Sequence, residues 1–177
     1  MNTEEKINTI NREKVMNALL ETHQSYFDMF PCQEGYLVAR GDFHVHSEKY
    51  VLIKKAKLWE ADCNEFVYFF SVGQLTAEIL DKCIDLAYRE GMPKIEPKDG
   101  HMYSYITALF VCDECDGEAL KKLKKCRIHK EFKFSLHGWM DFHSGVIVCG
   151  QGTTAFNKSG KDKKKLLDDI VTCVTKS

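Results

Sequence analysis

Gly35-Tyr36-Leu37-Val38-Ala39-Arg40-Gly41-Asp42-Phe43-His44-Val45-His46, continued by Ser47-Glu48-Lys49 and Tyr50-Val51-Leu52-Ile53, decides how this chain folds. Side chains alternate with a period of two. Leu37, Ala39, Gly41, Phe43 and Val45 share one face; Tyr36, Val38, Arg40, Asp42, His44 and His46 share the other, as in a half-buried strand. Three polar residues before the next apolar run predict an antiparallel hairpin and leave no room for a crossover helix. The second strand is expected to end near Trp59, residues 60–64 to turn the chain, and Phe66-Val67-Tyr68-Phe69-Phe70 to form a third, largely buried strand. Together these make a three-strand meander.

Working outward, Thr3 is placed to cap a helix with Glu4 and Glu5 in its first turn, where carboxylates favour the helix dipole. Ile7, Ile10, Met16, Leu19, Leu20, His23, Phe27 and Phe30 recur at three- and four-residue spacing until Pro31 stops the pattern, predicting a helical segment over 1–31. Downstream, Ser71 and Gln74 have capping-box spacing before a helix over 75–90, ended by Gly91 and Pro93. Met102 to Val111 is apolar on both faces, as a central strand is. Asp116 precedes a short helix over 117–126; Phe132, Phe134 and Leu136 mark an alternating strand, and Gly145 to Cys149 an apolar one. The expected fold is α+β, one domain over 1–177. It has a long N-terminal helix within 1–31 and a sheet-containing core over 35–149. There the antiparallel three-strand meander extends to a mixed five- or six-strand sheet with helices packed on it. A C-terminal helix over 162–175 closes the chain.

At 177 residues with 44% hydrophobic side chains, the chain is large enough to bury a core without staples. No apolar run approaches the ~20 residues of a membrane span, and the N-terminus lacks a signal-peptide layout. No membrane partner and a cytoplasmic location are therefore expected. Eight scattered cysteines are read as reduced, with Cys149 and Cys173 buried as small hydrophobes. The net charge of −1 conceals a polarity: residues 1–117 carry 12 basic and 20 acidic side chains, residues 118–177 carry 13 and 6.

Asp42, His44 and His46 project from one strand face roughly 6–7 Å apart per step, a donor set suited to a divalent cation. The hexapeptide Asp42–Ser47 resembles the opening metal motif of the PHP (polymerase-and-histidinol-phosphatase) phosphoesterases, and Asp141-Phe142-His143 resembles that family's later Asp-x-His. The resemblance implies that His44, His46, Asp141 and His143 are metal ligands and that the metals activate water against phosphate. The strand face adds Asp42 as a candidate metal ligand, with acidic help expected from Glu60 or Glu65. The resemblance covers nine residues, 42–47 and 141–143, and departs from the family in following His46 with a hairpin where a barrel needs a crossover. The test the sequence sets is convergence of these side chains. A polar strand face would carry the same residues without any metal.

Cys112-x2-Cys115 with Cys126-x2-His129 has zinc-site spacing, but a helix between the pairs separates Cys115 from Cys126 by roughly 15 Å. Cys112 and Cys115 alone precede a helix N-terminus, which lowers thiol pKa values and suits redox chemistry. The strand-strand-strand-helix-strand order resembles the restriction-endonuclease-like core, which implies an Asp and a Glu-x-Lys on adjacent strands. The segments in question offer Lys55-Ala56-Lys57 and Glu65-Phe66-Val67 instead. Residues 155–162 lack the first Gly and final Ser/Thr of a phosphate loop. Trp139 and Met140, after the flexible His137-Gly138, are expected to line a concavity beside Asp141 and His143.

The reading that follows is a ligand- or protein-binding module without recognisable catalytic machinery and with no cofactor. Its first alternative is the metal-dependent hydrolase. The second is a nucleic-acid-associated protein with a degenerate nuclease-like core. That last alternative has no aromatic–basic interleaving or reader motif behind it; it requires the lysines of 121–125 and 161–165 to share one face.

Overall fold

A computed structural model describes residues 10–51 and 56–176, with the side chains of all of these except 47–61. Helix α1 (Arg12–Gln24) is capped by Asn11, whose side-chain oxygen accepts from the Lys14 amide at 3.0 Å. It buries Val15, Met16, Leu19 and His23 along one stripe. The cap expected at Thr3 lies outside the described residues.

The helical reading of residues 28–31 is corrected. Asp28–Glu34 forms strand β1, which turns through Gly35 (φ +60°) into β2 (Leu37–Val51). Pro31 sits in an edge strand, where its missing N–H is tolerated. Phe30 is 51% exposed, so its helical spacing from Phe27 marks no buried helix face.

The two turns expected in the meander, at 47–49 and 60–64, are corrected. β2 continues through residues 47–49, and β3 (Ala56–Leu75) continues through 60–64, with Ser47 opposite Ala61 and Glu48 opposite Glu60. Val51 pairs with Ala56, so the strand expected to end near Trp59 is divided between β2 and β3, and its latter part is continuous with the strand expected over 66–70. Among the described pairings the tips of β2 and β3 pair only with each other. The polar residues of this two-stranded arm carry neither Gly nor Pro to stop a strand.

Helix α2 (Ala77–Gly91) is capped by Thr76, while Ser71 and Gln74 remain in β3. It carries the chain across to β4 (His101–Cys115), parallel to β3. Helix α3 (Gly117–Lys125) and the short β5 (His129–Glu131) lead to β6 (Trp139–Val148), parallel to β4. β7 (Thr153–Phe156) returns antiparallel along β6, a 3-10 turn spans Ser159–Lys163, and α4 (Lys164–Lys176) follows. The sheet is mixed and seven-stranded, in the order β1-β2-β3-β4-β6; β5 and β7 pair with opposite ends of β6's outer edge.

The strand expected over Phe132–Leu136 is a loop. Lys133, Phe134 and Ser135 have left-handed backbones, and Phe134 and Leu136 are exposed, so their alternation faces no core. Gly138 (φ +71°) closes this loop against β4, and a Cβ there would sit 2.2 Å from the Met102 carbonyl oxygen.

Two apolar layers enclose the sheet. Phe66, Tyr68, Phe70, Ile106, Phe110 and Phe142 pack towards α2 and α3; Val67, Phe69, Leu109, Val111 and Ile147 pack towards α1 and α4. β4 is thus buried on both faces, which is why its sequence shows no alternation. The Phe70 and Phe110 rings stack at 5.1 Å, each buried phenyl contributing about 2–3 kcal/mol.

Candidate functional site

Helices α1 and α4 cover the part of their sheet face built from Val67, Phe69, Leu109, Val111 and Ile147. Further along the same face the strands present a shelf of partly exposed aromatics: Phe43 on β2, Tyr103 and Tyr105 on β4, Trp139 on β6. Tyr103 and Tyr105 stack at 4.8 Å, Tyr105 stacks on His143 at 4.2 Å, and Trp139 lies 6.0 Å from Tyr103. Strand alternation places these rings together, since Tyr103 is opposite Trp139 and Tyr105 opposite Asp141 in the ladder. A cavity of about 170 Å³ opens between Phe43, Val45, Cys63, Glu65, Tyr103 and Tyr105.

The inner edge of the shelf is polar. Glu65 is 9% exposed; it accepts from Thr107 Oγ1 at 2.6 Å and pairs with Lys163 Nζ at 2.7 Å. Lys163 also lies 3.1 Å from Asp162, whose other oxygen is 3.4 Å from His143 Nδ1. Burial disfavours the Lys163 charge, but the Glu65 and Asp162 carboxylates outweigh it and hold its pKa above the ordinary lysine value. Burial also dominates at His143, lowering its pKa despite Asp162, so the ring is neutral near pH 7. His143 Nδ1 is buried and makes no hydrogen bond among the described residues. The arrangement offers stacking surfaces, an anchored ion pair and one unsatisfied ring nitrogen.

The five metal candidates fall on two faces of the sheet. Asp42, His44 and His46 lie on the α2 side: Asp42 pairs with Lys94 at 2.8 Å, His44 with Asn64 at 2.7 Å, and His46 with Asp62. His44 and His46, but not Asp42, line a polar cavity of about 350 Å³ with Asp62, Glu96, Lys98 and His101. Asp62 also meets Lys98 at 3.3 Å, and its carboxyl is held below the ordinary range, chiefly by His46. Asp141 and His143 are on the opposite face, three strands further over, with Asp141 paired to His129 at 2.8 Å. Three inter-strand steps of ~4.8 Å and the sheet itself separate the two groups, so the convergence test is not met. Among the described residues no group of three or more His, Cys, Asp or Glu side chains is placed to hold a metal ion. Glu65 is on the His143 side, and the Glu60 side chain lies outside the described residues.

Other candidates resolve individually. Burial raises the thiol pKa values of Cys112 and Cys115, opposite to the lowering expected before a helix N-terminus. Cys149 is buried, but Cys173 is exposed on α4, a correction to its reading as a core thiol. Trp139 borders Asp141 and His143 as expected, whereas Met140 is buried on the other face. No Glu-x-Lys forms on β3; the ammonium beside Glu65 comes from the 3-10 turn after β7. Tyr103, Tyr105 and Lys163 escape a sequence reading. A visible signal was the Tyr-x-Tyr-x-Thr alternation inside an otherwise apolar strand, while Lys163 is indistinguishable from the neighbouring solvated lysines.

The chain belongs to the family described as Domain of unknown function (DUF8052), whose pattern matches residues 11–169. No curated protein and no solved structure matches it. Among the described residues no helix is long and apolar enough to cross a membrane.

Proposed function

We propose that the chain is a cytoplasmic binding module, without catalytic machinery of its own, that takes a small planar aromatic or heteroaromatic ligand on the shelf of Phe43, Tyr103, Tyr105 and Trp139. The observation that carries this reading is the unbroken ring stack Tyr103–Tyr105–His143 beside a partly exposed Trp139. Offset stacking of one more ring on such a series contributes about 0.5–1.5 kcal/mol beyond its buried area. A mostly apolar concavity with a few convergent polar groups is the usual form of a small-molecule site; Glu65, Lys163 and His143 would fix the ligand's orientation. The cytoplasmic location is supported by the burial of Cys83, Cys112 and Cys149 as small hydrophobes in the core, the usual place of a reduced thiol.

Trp139 supplies the test. In a Trp59→Phe background it is the sole tryptophan, and its fluorescence is titrated with adenosine, indole and riboflavin. Saturable quenching by at least one probe, abolished by Tyr105→Ala, supports the reading; no saturation, or saturation indifferent to Tyr105→Ala, overturns it.

A further inference from the structure

The 3-10 turn that sends Lys163 to Glu65 has a second side. Lys158, Lys161 and Lys164 line a groove together with Lys124 and Arg127 from the end of α3 and just beyond it. Thr154, Ala155, Phe156 and Asn157 complete its lining, and the groove holds about 590 Å³. No carboxylate is among the lining residues. Of the five cations, Lys164 pairs with Asp168 at 2.5 Å; the other four make no ion pair among the described residues.

Asn157 holds this geometry rigid. Its buried amide donates to the Cys126 and Phe142 carbonyls at 3.1 and 2.8 Å. Its oxygen accepts from the Ser144 and Gly160 amides at 3.0 and 2.8 Å. One side chain thereby ties the end of α3, β6 and the 3-10 turn together, which fixes Lys124 and Arg127 across from Lys158 and Lys161.

We propose that this groove binds the backbone of single-stranded nucleic acid. Five like charges around one concavity repel one another and create a strongly positive potential, which an anionic partner relieves. A lone small anion neutralises only part of that charge; a run of phosphodiesters engages it all. The volume lies within the ~300–1,000 Å³ of pockets that enclose a drug-sized ligand, too small and concave for a duplex but suited to one strand. Phe156, half-buried in the lining, offers a ring for a base to stack on, the sequence-tolerant contact of single-strand binders. The spatial condition set by the sequence, lysines of 121–125 and 161–165 on one face, is met only in part: Lys124, Lys161 and Lys164 share the groove, whereas Lys163 turns to Glu65 and Lys122 to Asp81. An acidic polypeptide has comparable charge but repeats no planar groups for Phe156. This proposal is independent of the aromatic shelf.

The experiment is fluorescence anisotropy of labelled oligo(dT) and oligo(U), each about 16 nucleotides, with duplex DNA of the same length and poly-glutamate as competitors. The expected result is binding whose log affinity falls with log salt at a slope of about −3, as four or so phosphate contacts give. Lys124→Glu/Lys161→Glu should weaken it at least about tenfold, while the charge-matched Lys14→Glu/Lys82→Glu changes it less than about twofold. Comparing dT with U decides whether the source is DNA or RNA. Absence of binding at about 50 mM salt, insensitivity to Lys124→Glu/Lys161→Glu, or competition by duplex or poly-glutamate as strong as by unlabelled strand overturns the proposal.

Discussion

Lys163 Nζ stands 2.7 Å from Glu65 Oε1, with both side chains mostly buried, at the line where the sheet face passes from helix-covered to open. The pair terminates the core under α4 and begins the candidate site.

Removing one partner leaves the other charge stranded. Lys163→Met is expected to destabilise the fold by about 3 kcal/mol, and Glu65→Leu/Lys163→Met to recover most of that loss, because an orphaned buried charge costs more than an apolar pair. Urea denaturation of the single and double variants checks this. A double variant no more stable than Lys163→Met would contradict the placement.

Asn157 makes four hydrogen bonds to backbone groups while fully buried. Asn157→Ala should cost about 3 kcal/mol or more, since several buried backbone groups lose their partners together. Thermal unfolding reads it out; a loss within about 0.5 kcal/mol, the range of an ordinary surface substitution, would show the clamp to be incidental.

His23 and His143 both have pKa values lowered chiefly by burial. The unfolded chain protonates these rings near pH 6.5, whereas the native state resists until lower pH. Stability is therefore unaffected by them above about pH 7 and falls as pH drops through 6.5 towards the native values. His129 works oppositely: Asp141 raises its pKa, so its stabilisation is present below about pH 6.5 and lost as pH rises through the native value. It is largely exposed, and solvent screening makes its effect the smaller one. Urea midpoints should decline from pH 7.5 to 5.5, less steeply in His143→Gln. A flat profile in the unsubstituted chain contradicts the burial of these imidazoles.

Gly138→Ala forces a Cβ into the Met102 carbonyl and a left-handed backbone onto alanine. It should cost at least about 2 kcal/mol, measured by thermal unfolding. Gly117→Ala is the control, since no atom lies within 4 Å of a Cβ there; equal losses in the two would refute the strained turn.

Metal analysis of untagged protein grown with added zinc and manganese is expected to show substoichiometric metal, because the sheet lies between His44/His46 and Asp141/His143. One tightly held ion per chain would show that one half-site suffices.

The α+β class, the central β4 and the helices α2 to α4 were legible because each carries hydrophobic periodicity tied to a buried face. The meander was not, since the latter part of its expected second strand is one strand with its third, and β1 was read as helix. Where no core enforced the pattern, it misled. Phe30 and Phe134 are exposed although spaced as buried residues would be, and the β2–β3 arm runs through polar residues that look like turns. β1 and β7, as short or edge strands, have little alternation to read. The Asp42–His46 face was visible as chemistry, but which face of the sheet each strand presents depends on crossovers that local sequence does not encode. For the same reason Lys163 could not be told from Lys161 or Lys164: a helical turn sends one to Glu65 and the others to the groove.

The central claim is that the open aromatic face is a ligand site, and its most direct measurement is an NMR titration with aromatic-carbon labelling. On adding whichever of adenosine, indole or riboflavin quenches Trp139, the account predicts saturable shift changes concentrated on Tyr103, Tyr105, Trp139 and His143. Shifts centred elsewhere, on the His44–His101 cavity for instance, or no saturable shifts at all, would contradict it.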